Sequence, residues 1–260
     1  MKIKQVTGIY FSPTKSTKNV VMQIAGQFGG NQAELDLTDA NRNRPDYHFL
    51  ENEVIVVGAP VYGGRLPVTA AERLRKLHGH QTPAVLVVVY GNRAYEDALL
   101  ELKEILTEQG FVPAAAIAAV AEHNIIRSIA AGRPDAKDQE MLTQFGQQAA
   151  KQLEALARVG ELHDLSVPGH HPYREFHGLP IRIHVSANCS NCGTCIRKCP
   201  TQAISRTDPK ITDQERCIGC MRCIQECPVE GRSVSRLVRL VVRQKLKKVC
   251  AGRKEPEFFV

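Results

Sequence analysis

The chain contains no stretch approaching the ~20 consecutive apolar residues of a membrane span. It also lacks G-x-G-x-x-G and G-x-x-x-x-G-K-[ST], so dinucleotide and P-loop readings are poor and direct use of a nicotinamide cofactor is unsupported. Met1 to Ser12 has neither the apolar core nor the small-residue cleavage site of a signal peptide, and a reducing cytoplasm is the expectation. In that setting the nine cysteines point to metal ligation rather than disulfides. A length of 260 residues suits one large domain or two small ones, and 43% hydrophobic residues is ordinary for a globular chain.

What is present is a cysteine spacing that occurs twice. Cys189, Cys192, Cys195 and Cys199 precede Pro200, and Cys217, Cys220, Cys223 and Cys227 precede Pro228. Each run reads C-x2-C-x2-C-x3-C-P, the spacing that supplies thiolates to a [4Fe–4S] cluster, so two clusters and single-electron chemistry are expected. Zinc prefers separated C-x-x-C pairs and fits this pattern poorly. Cys250 lies outside both runs and reads as a spare residue on a helical face.

The formal charge of +7 is unevenly placed. Residues 1–160 hold 17 basic and 17 acidic side chains, residues 161–231 hold 8 of each, and residues 232–260 hold 9 against 2. A basic chain invites a nucleic-acid reading. Each loaded cluster with its four thiolates carries about −2, and a phosphate cofactor would add more negative charge, so no nucleic-acid partner is expected.

Residues 1–160 read as an α/β unit. Apolar runs at Thr7–Phe11, Val54–Gly58, Val85–Tyr90 and Ala114–Val120, with a weaker Ala33–Leu37, suit parallel strands buried on both faces. Helical patterns alternate with them at about 16–28, 67–78, 95–109 and 136–157. Three loops fall at the carboxyl ends of the strands, where such sheets bind ligands. The first is Ser12-Pro13-Thr14-Lys15-Ser16-Thr17, whose hydroxyls and N–H groups at a helix start suit an anion. The second is Ala59-Pro60-Val61-Tyr62-Gly63-Gly64-Arg65-Leu66-Pro67, and the third is Tyr90-Gly91-Asn92-Arg93-Ala94-Tyr95-Glu96-Asp97.

These loops in this order resemble a flavodoxin-like domain. The resemblance implies a doubly wound, five-stranded parallel sheet of order 2-1-3-4-5 that binds flavin mononucleotide (FMN). By position, Ser12, Thr14, Ser16 and Thr17 would hold the phosphate. Tyr62 and Tyr95 would flank the ring, with Pro60, Val61, Gly63, Gly64, Tyr90, Gly91, Asn92 and Asp97 around it. Lys15 stands where the family usually has glycine; it either adds charge to the phosphate site or opposes a turn that wants positive φ. Taken alone, the first loop equally suits the cap of a helix; with the two downstream loops in place, FMN is the favoured reading.

Residues 187–231 resemble a bacterial-type 2[4Fe–4S] ferredoxin, a small α+β domain. The resemblance implies crossed ligation, with Cys189, Cys192, Cys195 and Cys227 on one cluster and Cys217, Cys220, Cys223 and Cys199 on the other. Ile196, Ile204, Ile211, Ile218 and Ile224 would shield the clusters. Residues 161–186, with His163, His170, His171, His177 and His184, read as a connector rather than a metal site. In residues 232–260, Val234, Val238, Val241, Val242, Leu246 and Val249 form one helical face and Arg236, Arg239, Arg243 and Lys247 another. Packing on the chain's own domains is the expectation for 234–250, with an anionic membrane surface or an acidic partner as the alternative.

The whole is similar to the flavodoxin–ferredoxin fusion family. That resemblance implies an electron-transfer protein relaying electrons between FMN and the clusters to redox partner proteins. The rival is a flavin-dependent reductase, for which Tyr95, Asp97 or His123 would supply a proton.

Overall fold

The computed structural model describes residues 1–40, 46–178 and 181–260. Strand β1 (Gln5–Tyr10) leads into helix α1 (Ser16–Ala25) and strand β2 (Asn31–Asp36). After β3 (Tyr47–Phe49) come β4 (Glu53–Pro60), α2 (Val68–Leu74), β5 (Leu77–Gly79), β6 (Thr82–Tyr90), α3 (Ala98–Glu108), β7 (Phe111–Val120) and α4 (Ala136–Ala155). β1 pairs in parallel with β2 and β4, and β4–β6 and β6–β7 continue the parallel order. All nine residues of β6 are buried, because helices cover both sheet faces. One core packs α2 and α3 through Leu74, Leu99, Leu102 and Leu106; the other packs α1 and α4 through Val21, Ile24, Leu142 and Leu153.

The five parallel strands thus run 2-1-3-4-5, as expected, but the sheet has a sixth. Strand β10 (Glu257–Phe259), at the far end of the chain, pairs antiparallel with β7. Three residues are too few to show a period in sequence. Their place is fixed by packing instead: Phe258 stacks on Phe145 at 5.0 Å, and Phe259 packs on the core under α2 and α3.

The cysteine half is small. Strands β8 (Ile183–Val185) and β9 (Arg232–Val234) form an antiparallel pair beside two short helices, α5 (Thr194–Lys198) and α6 (Arg222–Gln225). Its own apolar core is small, clustered on Ile181, Met221 and Val234, so it needs another source of cohesion.

Helix α7 (Arg236–Val249) follows. It buries no residue fully, and its expected packing is only partial, with Val238 against the core of the cysteine half. Val238, Val242 and Leu246 are half-buried, whereas Leu237 (70%), Leu240 (54%) and Val249 (52%) stand exposed. No helix among the described residues is long and apolar enough to cross a membrane.

Candidate functional site

In this strand order the direction of winding reverses beside β1, and the crevice at the carboxyl ends of β1 and β4 is the ligand position. The structure gathers Thr14, Ser16, Thr17, Pro60, Val61, Tyr62, Tyr90 and Gly91 around one cleft there. Glu122, His123 and Asn124, which directly follow β7, complete its wall. Sequence reasoning offered His123 only as a proton donor. Its Nδ1 accepts the N–H groups of Ile125 and Ile126 at 3.2 Å each. Burial, and then the charge of Arg93, lowers its pKa to about 4, so the ring is neutral and does not act as a cationic acid near neutral pH.

The phosphate end of this cleft is well formed. Lys15 adopts the left-handed turn that favours glycine, φ 68°, and sits at the N-cap of α1 without a side-chain cap bond. Its Cβ therefore does not prevent the turn. Its ammonium is exposed and points away, 3.9 Å from Glu226 Oε1 beside α6. Ser12 is buried and already engaged: its N–H donates to Thr38 Oγ1 (2.7 Å) and its Oγ accepts from Lys18 N (3.0 Å). It caps the helix, which leaves Thr14, Ser16 and Thr17 for an anion.

The ring end is different, and several expectations are corrected. Tyr95 does not face the cleft. It is buried against Tyr90, with ring centroids 5.3 Å apart, and its hydroxyl donates to Glu257 Oε2 (3.0 Å) in β10. The Asn92 amide donates to the carbonyls of Cys250 (3.0 Å) and Gly252 (2.9 Å), so the C-terminal segment fills its hydrogen-bonding capacity. Gly63, at φ 62°, is covered by the Phe176 ring, which lies 2.1 Å from where a Cβ would stand. Gly64 is covered by the Glu96 carboxylate in the same way. Asp97 accepts from His170 N (2.9 Å) and Arg174 N (2.7 Å), pinning the connector. The remaining cavity is about 60 Å3, far below the roughly 300 Å3 at which small-molecule pockets begin. In this conformation the phosphate end is open to an anion, while the ring end is narrowed by Phe176, Glu96 and the C-terminal segment.

The cysteines fall into two groups. Gly231 N donates to Cys227 Sγ (3.2 Å), and the same glycine lies against Cys189, whose Cα would be 3.3 Å from an added Cβ. The fourth cysteine of the second run is thereby brought to the first cysteine of the first. The mirror relation holds for Cys199. Its Sγ accepts from Ala203 N (3.3 Å), and its charge raises the thiols of Cys217, Cys220 and Cys223. Burial is the larger cause at all three, pushing Cys220 up to about 12 and Cys223 to about 11. Cys192 is exposed, so the first group opens to solvent. Ile204 is buried as expected of a shield, but Ile211 is 60% exposed and shields nothing.

Orphaned donors occur in this half, and Arg232 lies beside Cys195 and Cys223. Arg222 Nε and Nη1 and Arg232 Nε are buried without an acceptor. Buried N–H groups of this kind require partners. The anionic surface of a thiolate-bound cluster supplies them, so the residues fit two [4Fe–4S] groups. Among the described residues, no three His, Cys, Asp or Glu side chains gather as they would for a single metal ion.

Residues 188–235 match the family model described as a 4Fe-4S dicluster domain. Joined to the 2-1-3-4-5 sheet, this matches a flavodoxin–ferredoxin fusion. No curated protein matches the chain. Among solved structures, the flavodoxin of Streptococcus pneumoniae TIGR4 is 16% identical over 57% of this chain and 99% of its own, with a TM-score of 0.41. A flavodoxin from the domain Archaea is 14% identical over 58% and 99%, with a TM-score of 0.39. The rubredoxin oxygen:oxidoreductase of the anaerobe Desulfovibrio gigas is 18% identical over 59% of this chain and 37% of its own, with a TM-score of 0.42. The fold of the N-terminal half of the fusion rests on its strand order rather than on these likenesses.

The two halves touch through specific side chains. Arg73 of α2 donates to the carbonyls of Leu37 (2.6 Å) and Thr38 (2.9 Å), and also to Pro200, the residue after Cys199. Ile218, between Cys217 and Gly219, packs on the main core. Tyr62 belongs to the cleft wall, yet its hydroxyl is deep, bonded with Asn124 and close to Cys220. Burial first, and then that sulfur, raise its pKa well above the ordinary phenol value.

Proposed function

We propose that the chain is an electron carrier with two [4Fe–4S] clusters, serving redox partner proteins. One cluster would be held by Cys189, Cys192, Cys195 and Cys227, the other by Cys217, Cys220, Cys223 and Cys199. The observation that carries this reading is the pairing of each fourth cysteine with the opposite run, around arginine donors that have no other acceptor. When bound, each cluster takes up and returns one electron. The chain's own residues do the rest: Gly231 and Ala203 hold the fourth sulfurs by N–H donation, and Ile204, Met221 and Val234 exclude water.

A flavin relay is the second reading. Tyr62 favours it, because one residue lines the phosphate cleft and also reaches Cys220. FMN would need Phe176 and the C-terminal segment to give way at the ring end. A substrate-reducing flavoenzyme needs still more room over the ring and is not adopted.

The partner is an acidic protein. Arg127, Arg236, Arg239 and Arg243 line a cleft of about 840 Å3 that has Cys227, Ile224 and Leu240 in its walls. Arg236, Arg239 and Arg243 pair with no carboxylate among the described residues, and such a surface attracts and orients negative charge.

Anaerobic purification followed by iron, sulfide and flavin analysis tests the assignment. Eight irons per chain are expected. Four or fewer irons in fully loaded samples would sink the two-cluster reading. One equivalent of FMN would raise the relay above the simple carrier.

A further inference from the structure

Arg232 was counted in sequence as part of a basic tail, but it does not sit on the surface. It opens β9 and is 3% exposed. Its Nη1 donates to the Pro209 carbonyl (2.6 Å) and points at Cys195 Sγ (3.5 Å), and its Nη2 donates to Thr212 Oγ1 (3.2 Å). Its guanidinium also hydrogen-bonds the Cys223 side chain. Cys195 belongs to the first sulfur group; Cys223 belongs to the second. One guanidinium therefore faces both. No carboxylate among the described residues pairs with it, and its Nε lacks an acceptor. A buried arginine in that state is strongly unfavourable unless an anion completes its surroundings.

We propose that Arg232 is a shared counter-cation of the two cluster sites and raises both reduction potentials. Each electron added at either site increases the local negative charge by one, with no bond made or broken and no proton moved. A fixed positive charge beside the sulfurs favours that reduced state, as do N–H donors aimed at them. Lysine carries the charge but not the planar set of five donors that lets one side chain address two sites. The role rests on the two-cluster reading above, and it makes the two potentials respond together to one residue.

The test compares Arg232→Gln and Arg232→Lys with the parent chain, in holo-protein assembled anaerobically. Samples are titrated with dithionite and followed by electron paramagnetic resonance, with iron and sulfide counted in each. Both midpoint potentials fall in R232Q and fall less in R232K. Eight irons with either potential unmoved in R232Q overturn the shared role while leaving the carrier reading intact. If R232Q loads poorly, R232K decides: lowered potentials at both sites support the role, and potentials equal to the parent overturn it. A parent chain with only one cluster signal removes the two-cluster reading, and the shared role with it.

Discussion

At the residue scale, crossed ligation makes the sharpest prediction. The double variant Cys199→Ser/Cys217→Ser strikes one cluster twice and is expected to retain four irons, whereas Cys199→Ser/Cys227→Ser strikes both and is expected to retain none. Uncrossed ligation would instead empty both sites in the first variant, and iron analysis separates the two cases. Asp97 carries a different prediction. Burial pushes its carboxyl up, but donation from Arg174 and His170 more than offsets this and holds it below the ordinary carboxylate value. A depressed folded pKa gives stability that is present above about pH 4 and is lost as the pH falls through the folded value. The connector at 161–178 should therefore loosen on strong acidification. Asp97→Ala should loosen it at neutral pH, at a cost of roughly 1.5–3 kcal/mol per charged hydrogen bond lost. Limited proteolysis of the segment reads both, and unchanged cleavage counts against the role. The dicluster domain was legible in sequence because the doubled cysteine spacing is specific to [4Fe–4S] ligation. The destinations of Tyr95, Asn92 and Asp97 were not, because their partners lie 162, 158 and 73 positions away.

At the element scale, α7 is a charged face laid beside the first sulfur group. Small redox ions probe it without a named partner. With Arg239→Glu/Arg243→Glu, reduced protein should lose rate toward ferricyanide, an anion, and gain toward hexaammineruthenium, a cation. The contrast should be largest at low ionic strength, where screening is weakest. An unchanged rate ratio removes the electrostatic exit. Periodicity revealed that this helix is amphipathic, but whether its apolar stripe found a neighbour depended on tertiary packing. The C-terminal segment behaves in the opposite way. Arg253 bonds Asp135 and Asp138, and Lys254 offers its carbonyl to Arg133, itself paired with Asp138 at the start of α4. Asp135 is held well below its ordinary value by Arg253 first and by the Asp138 N–H second. Removing residues 251–260 should free Tyr95 and the Asn92 amide from their Glu257 and Gly252 partners and tighten FMN binding, read by quenching of flavin fluorescence. It should also bare the β7 edge and promote self-association, since an unpaired edge is a template for pairing. Unchanged flavin affinity would mean that the segment does not guard the ring end.

At the scale of the whole molecule, the doubly wound half was legible because its strands are apolar runs separated by helix-period segments, and each local pattern agreed with the others. The ring end of the cleft was not, because it is filled from two remote places, Phe176 of the connector and the segment after α7. The place of β10 has a further consequence. The sheet begun by β1 is completed only by Glu257–Phe259, so the cysteine domain and its connector form a loop whose two ends must meet on β7. Crossed ligation, if the clusters are held as proposed, would tie the middle of that loop to itself, so a loaded domain would leave less chain to be restrained when the edge strand docks. A shorter effective loop lowers the entropy lost on closure. Metal loading in one half would then favour docking of the edge strand in the other, and loss of iron should be felt as fraying at β10, outside the cluster domain.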